Sequence, residues 1–178
     1  MFNKLGEIIK KVEGNVLTIG LDDSLLDKFK KNNKVNLYCI YSSENNGGLF
    51  SRDKKKKTNQ GKQINIKKLR KYLKKKSAKY IILNIDEVMK YYKYIIRDTI
   101  YLNNNLIYVY SPNNLEKDFI ISRYKRYNVK IESINYKNGY IITINNTQGK
   151  NNYFKDKWYF IKDTLYNIAE YIGNVLVS

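Results

Sequence analysis

Histidine is missing from the 178 residues, and cysteine, proline and tryptophan occur once each. Each scarcity removes a class of chemistry. Without histidine there is no Ser-His-Asp hydrolase and no His-containing metal site, and the side chain that most often moves protons near neutral pH is gone. The lone Cys39, inside the apolar run Val35–Tyr41, cannot form an internal disulfide. Nothing therefore points to an oxidising compartment, and Cys39 reads as a small buried core residue. No phosphate-loop pattern of the GxxxxGK[ST] type is present, which argues against an ATPase of that class. No uncharged apolar run approaches the ~20 residues that span a bilayer. The opening MFNKLGEIIKKVEG interleaves charged and apolar residues, unlike the apolar stretch of a signal peptide. The expectation is a cytoplasmic chain without a membrane span, with no metal and with its oligomeric state open.

What is abundant is positive charge: 34 Lys and Arg against 16 Asp and Glu, a formal net charge of +18. Two causes compete. Lys, Asn, Ile and Tyr account for 29, 24, 23 and 18 residues, against five Arg. Those four share codons rich in A and T, so an AT-rich genome explains part of the basic excess. Codon drift does not choose where lysines cluster, however. Residues 52–79 hold 14 of the 34 basic residues, with Asp53 the only acid, a local balance of +13. Such a stretch attracts phosphates by counterion release, and the neighbouring Phe50 and Tyr72 are available to stack bases. A solvated surface inflated by codon usage is the competing reading.

Along the chain the hydrophobic period switches repeatedly between that of a helix and that of a strand. Phe2, Leu5, Ile8, Ile9 and Val12 lie on one face of a helix that Gly14 ends. Asn15–Gly20 reads as a buried strand, Leu25–Lys31 as a helix capped by Asp22, Asp23 or Ser24, and Lys34–Tyr41 as a second strand. Ser42–Lys62, with Asn45-Asn46-Gly47-Gly48 and four consecutive lysines, reads as an exposed, mobile loop, its basic part at 45–62. Gln63–Ile66 is a short strand and Lys67–Lys76 a basic helix. Ala78–Ile85 is an apolar, β-branched run that suits a central parallel strand. A helix at Asp86–Leu102, a strand at Leu106–Tyr110 and a helix at Leu115–Tyr127 follow. Lys137-Asn138-Gly139 between Val129–Tyr136 and Tyr140–Asn145 is a hairpin signal. After a loop at Asn146–Asn152, residues 157–177 carry the stripe Ile161, Leu165, Ile168, Ala169, Ile172, Val175 and Leu176. This amphipathic helix packs on the domain's own core, or else offers a face for dimerisation or a membrane surface.

Strands that alternate with helices imply a single α/β domain over 1–178: a Rossmann-like, mostly parallel sheet flanked by helices, ending in an antiparallel hairpin and a C-terminal helix. Ligands of such sheets sit beyond the carboxyl ends of the strands, here the loops after Ile19, Tyr41 and Ile85. This layout resembles the class I S-adenosylmethionine-dependent methyltransferases, whose last strand runs antiparallel to a Rossmann-like sheet. Val16-Leu17-Thr18-Ile19-Gly20-Leu21-Asp22 is similar to their first-strand motif, and Ala78–Asp86 followed by Leu106–Ser111 to their fourth and fifth strands. The resemblance covers roughly residues 2–145 and is one of layout more than of motif.

The resemblance implies S-adenosylmethionine as cofactor, held at Gly20 and Asp22, with Glu44 on the ribose hydroxyls. It also implies Asn84 and Asp86, at the end of the fourth-strand match, as catalytic candidates. Local roles compete at each position: a strand-to-helix turn and cap at Gly20 and Asp22, a solvated loop acid at Glu44, and helix capping at Asn84 and Asp86. The chain departs from the family where it matters most. Only Gly20 remains of the glycine-rich loop, Glu44 comes late, and Asn84-Ile85-Asp86-Glu87 replaces the Asn/Asp-Pro-Pro-aromatic motif of the amino-group methyltransferases. Methyl transfer itself survives the lack of histidine, since positioning and desolvation can carry it.

Two readings result. One is a divergent methyltransferase acting on RNA, which it grips through Lys54, Lys55, Lys56, Lys57, Lys67, Lys68, Arg70, Lys71, Lys74 and Lys75. The other is a non-catalytic protein on a degenerate methyltransferase-like fold that holds RNA, DNA or an acidic partner through residues 52–79. A pocket above Gly20 with room for an adenosine favours the first. A pocket filled by Leu21 or Phe50 favours the second.

Overall fold

The computed structural model describes residues 2–43, 48–53, 62–64, 69, 71, 77–100, 106–113, 116–127, 129–137, 139–146, 158, 161–162, 165 and 168–169. Among the described residues, eight strands form one sheet. In chain order they are β1 (Gly14–Ile19), β2 (Val35–Ser43), β3 (Gly48–Asp53), β4 (Lys62–Ile64), β5 (Tyr80–Asn84), β6 (Leu106–Ser111), β7 (Lys130–Tyr136) and β8 (Gly139–Asn145). Their order across the sheet is β4-β3-β2-β1-β5-β6-β8-β7. The core β2-β1-β5-β6 is parallel, and both flanks, β3-β4 and β8-β7, are antiparallel.

Helices cover both faces, and the period-2 alternation of the strands decides which residue serves which face. On one side Leu17, Ile19, Ile81, Leu83, Ile107, Val109, Tyr140, Ile142 and Ile144 form a single cluster. It is closed by α3 (Ile85–Val88), the 3-10 turn Met89–Tyr91, α4 (Tyr92–Ile100) and α5 (Lys117–Lys125). On the other side Val16, Leu37, Ile82, Tyr110 and Ile141 pack against Leu5, Ile8 and Ile9 of α1 (Phe2–Lys11), Val12 just beyond it, and Leu25, Leu26 and Phe29 of α2 (Asp23–Lys30). Full burial of such a side chain stabilises the fold by about 1.5–3 kcal/mol relative to exposure. Cys39 is buried on the α1–α2 side, as its apolar surroundings predict.

The alternation, the buried central strand at 80–84 and the hairpin at 129–145 match the reading of the sequence. The antiparallel last strand also matches: β8 pairs antiparallel with β6, and the hairpin closes with Tyr136 opposite Gly139. The step from β2 to β3 is antiparallel, with Ser43 opposite Gly48.

Three expectations change. The stretch Ser42–Lys62, read as loop, contains strand: β2 runs on to Ser43, Gly48–Asp53 is β3, and β4 begins at Lys62. The cause is Leu49, which is buried opposite Ser42 and Ile64, together with Phe50, which stacks on Tyr41 at 5.6 Å between ring centroids. Two apolar residues suffice to anchor an antiparallel edge that the lysine run obscures. Residues 44–47 and 54–61 lie outside the described residues. The helix expected at Asp86–Leu102 is divided, because Val88 leaves the helical region (φ −126°, ψ 16°) and a 3-10 turn separates α3 from α4. Of the C-terminal stripe the described residues Ile161, Leu165 and Ile168 are helical but 44–60% exposed, and Trp158 before it is helical and 64% exposed, so these members of the stripe do not pack on the core. Ile172, Val175 and Leu176 lie outside the described residues.

Candidate functional site

At the carboxyl ends of the parallel strands, three segments meet: the turn after β1, the junction of β5 with α3, and the end of β6. The β1 turn is set by Gly20, whose φ of +70° is a left-handed conformation that glycine adopts at no steric cost. Its N–H donates to the Ile40 carbonyl at 2.8 Å, which fixes the turn to β2. A side chain here would have no room. An added Cβ would lie 3.0 Å from the Asn84 carbonyl oxygen, 3.0 Å from the Glu87 Cβ and 3.2 Å from the Val88 Cγ1. Gly20 thus lets the first turn of α3 close down on β1. Leu21 turns into the core beside α1 and α2 and is 6% exposed.

Asp22 is the N-cap of α2. Its Oδ1 accepts from the Leu25 N–H at 2.9 Å and from the Ser24 hydroxyl at 2.6 Å. Burial pushes the carboxyl up, but the hydrogen bonds from Ser24 and the Leu25 backbone outweigh it and hold the group below its ordinary value. A depressed carboxyl contributes stability above the unfolded pKa, and that contribution disappears as pH falls through the folded one. Asp22→Ala is therefore expected to cost about 1 kcal/mol at pH 7. Asp22→Asn keeps most of the cap, and its smaller deficit closes as the pH is lowered below about 4. Urea unfolding of the three proteins at pH 7 and pH 3 checks both.

Asn84 and Asp86 build the second wall. The Asn84 Oδ1 caps α3 by accepting from the Asp86 N–H at 3.2 Å. The Asp86 Oδ2 accepts from the backbone N–H and the side-chain amide of Asn113 at 3.1 and 3.0 Å, tying α3 to the chain beyond β6. The Asp86 Oδ1 is buried and has no hydrogen-bond partner among the described residues. Asn84 stands opposite Tyr110 in the β5–β6 register, and the buried Tyr110 hydroxyl is likewise unmet among the described residues. The Asn84 side chain lies near enough to oppose a rise in the phenol's pKa, but not at hydrogen-bond geometry. Burial, then the charges of Asp22, Asp86 and Glu87, hold that phenol far above its ordinary value. Tyr140, in register with Ser111, is raised by burial and by Asp86, with Ser111 opposing.

Among the described residues the carboxyl end is therefore acidic in a chain of net charge +18: Asp22, Asp86 and Glu87 converge on Tyr110, and Asp86 and Glu116 act on Tyr140. Phosphates are repelled from such a place, whereas cations and hydrogen-bond donors suit it. Tyr110→Phe removes an unmet buried hydroxyl and is expected to stabilise the chain by about 1 kcal/mol. A comparable loss of stability on thermal unfolding would mean that another group meets the hydroxyl.

The sequence thus brings Gly20, Asp22, Asn84 and Asp86 to one end of the sheet. Glu44 lies outside the described residues, as do Lys54, Lys55, Lys56, Lys57, Lys67, Lys68, Arg70, Lys74 and Lys75; Lys71 is helical and exposed. Tyr110, Tyr140 and Asn113 belong to the site and were not anticipated. The position of Tyr110 at the end of a strand was the available signal.

No protein-family model and no curated protein matches the chain. Among solved structures, the release factor-specific protein-(glutamine-N5) methyltransferase of Alicyclobacillus acidocaldarius is similar to it, with a TM-score of 0.48 and 8% identity over 81% of this chain and 91% of that one.

Proposed function

We propose that the chain is a binding protein on a methyltransferase-like α/β frame, with its first-strand crevice closed to S-adenosylmethionine, and that it holds RNA or DNA through the basic residues of 52–79. The observation that carries this reading is the packing at Gly20. Where a dinucleotide-type cofactor would approach the backbone of the first turn, Glu87 and Val88 already stand, and Leu21 is turned into the core. Asp22, at a position where small residues are usual in the family, spends its carboxylate on the α2 cap. The residues present do not fit S-adenosylmethionine at this turn. The acidic strand ends also direct a polyanion elsewhere, which supports the lysines of 52–79 as the grip.

The test is fluorescence anisotropy with a labelled single-stranded RNA and its DNA counterpart between 50 and 200 mM salt. Replacing Lys54, Lys55, Lys56 and Lys57 by alanine should reduce the slope of log affinity against log salt by about 3, roughly 0.7 for each phosphate contact on a single strand. Salt-independent binding, or an unchanged slope, would contradict the reading.

A second reading, a methyltransferase acting on RNA, draws on one observation: the buried Asp86 Oδ1 and Tyr110 hydroxyl, both without a partner among the described residues. A ligand bearing hydrogen-bond donors or positive charge would satisfy them. In that reading Asn84 and Asp86 face the acceptor, while Gly20, Asp22 and Glu44 hold the cofactor.

A further inference from the structure

At the opposite, amino end of the sheet the C-terminal halves of α1 and α2 enclose an open groove of about 920 Å³. Its walls are Gly6, Glu7, Ile9 and Lys10 on α1, and Lys28, Lys31, Asn32, Asn33 and Lys34 at the end of α2 and beyond. Four lysines and one glutamate leave a local balance of +3. Lysines at helix C-termini often serve to satisfy the last carbonyls and the negative end of the helix dipole. Here other groups already do much of that. The Asn32 Nδ2 donates to the Ile9 carbonyl of α1 and the Val12 carbonyl just past it at 3.1 and 3.3 Å, and the Lys31 and Asn32 backbone N–H groups meet the Asp27 and Phe29 carbonyls of α2. Lys34 is engaged by Glu13 at 2.8 Å. The ammonium groups of Lys10, Lys28 and Lys31 have neither a hydrogen bond nor an ion pair with any described residue.

The floor of the groove explains a glycine that α1 would otherwise do better without. Gly6 lies in the middle of a helix, where glycine is disfavoured, and a Cβ added there would meet nothing within 4 Å. The helix fold does not require it. An open groove does gain from it, because any longer side chain at position 6 would project into the space between the lysines.

We propose that this groove is a phosphate-binding site: Lys10, Lys28 and Lys31 hold the phosphates of a nucleotide or of a short length of nucleic-acid backbone, with Gly6 leaving room for the ligand. None of the described residues of 52–79 lines it.

The proposal is tested with ATP and with a ten-nucleotide oligouridine, followed by the backbone amide NMR signals of the whole chain. Shifts at Gly6, Lys10, Lys28 and Lys31–Lys34 are expected with at least one probe: with ATP alone if the source is a free nucleotide, with oligouridine if it is a strand. Gly6→Phe, which alters no charge, should lower the affinity for that probe by about tenfold. Gly6→Ala, too short to cross the groove, should bind as the unmodified chain does. As a second route, Lys28→Ala with Lys31→Ala should reduce the salt slope for oligouridine by about 1.4. Groove amides that do not shift with either probe, or a Gly6→Phe protein that folds and binds normally, overturn the proposal. Oligouridine shifts confined to residues 52–79 would overturn it while leaving the nucleic-acid reading of that stretch intact. Groove shifts with ATP in a chain whose Lys54–Lys57 alanine variant keeps its full RNA salt slope would do the reverse.

Discussion

Replacing Gly20 by alanine should lower the free energy of unfolding by roughly 2–5 kcal/mol. Two terms add: the strain of a non-glycine residue at φ +70° and the overpacking of a methyl group against the Asn84 carbonyl and the side chains of Glu87 and Val88. The carbonyl belongs to the β5–α3 junction and has little freedom to retreat. Urea denaturation at neutral pH measures the effect. A loss below about 1 kcal/mol would mean that α3 stands away from β1 in solution and that the crevice is open. The same packing makes Gly20 a poor reporter of cofactor binding, since a bulky residue there removes the fold before it removes a ligand. Variants at Asp86 and Tyr110 probe the same end of the sheet with less disturbance.

Phe29→Ala should be similarly costly, by about 3–5 kcal/mol. Phe29 is fully buried and belongs to the cluster through which α2 packs on Leu5, Val16, Leu37 and Ile82. The loss should appear as a lower urea midpoint with an unchanged slope, as befits a change in stability alone. A loss near 1 kcal/mol, or a changed slope, would show that α2 is only loosely attached.

Much of the fold could be read in advance because apolar strands buried on both faces leave a plain trace. Val16–Ile19 and Tyr80–Asn84 are nearly unbroken apolar runs, and the Asn138-Gly139 pair marks the last hairpin. Strand β3 escaped because its anchor is only Leu49 and Phe50, set among lysines and glycines whose composition reads as loop. For the site, local rules found the right residues: Asp22 and Asn84 look like caps and are caps. Sequence spacing carries no information about what fills the space between them. That α3 closes onto Gly20, that Tyr110 lies beneath the carboxylates, and that a lysine-lined groove opens at the other end of the sheet all depend on which helices approach one another. Those are long-range packing facts, and none has a local signature.

The account turns on whether the turn after β1 admits a cofactor. Titration calorimetry of the intact chain with S-adenosylmethionine and S-adenosylhomocysteine asks this directly. Closure by Glu87 and Val88 predicts no binding heat and no thermal stabilisation by either compound at millimolar concentration. Micromolar binding that Asp86→Ala or Tyr110→Phe weakens would contradict it and would establish the strand-end crevice as a working cofactor site.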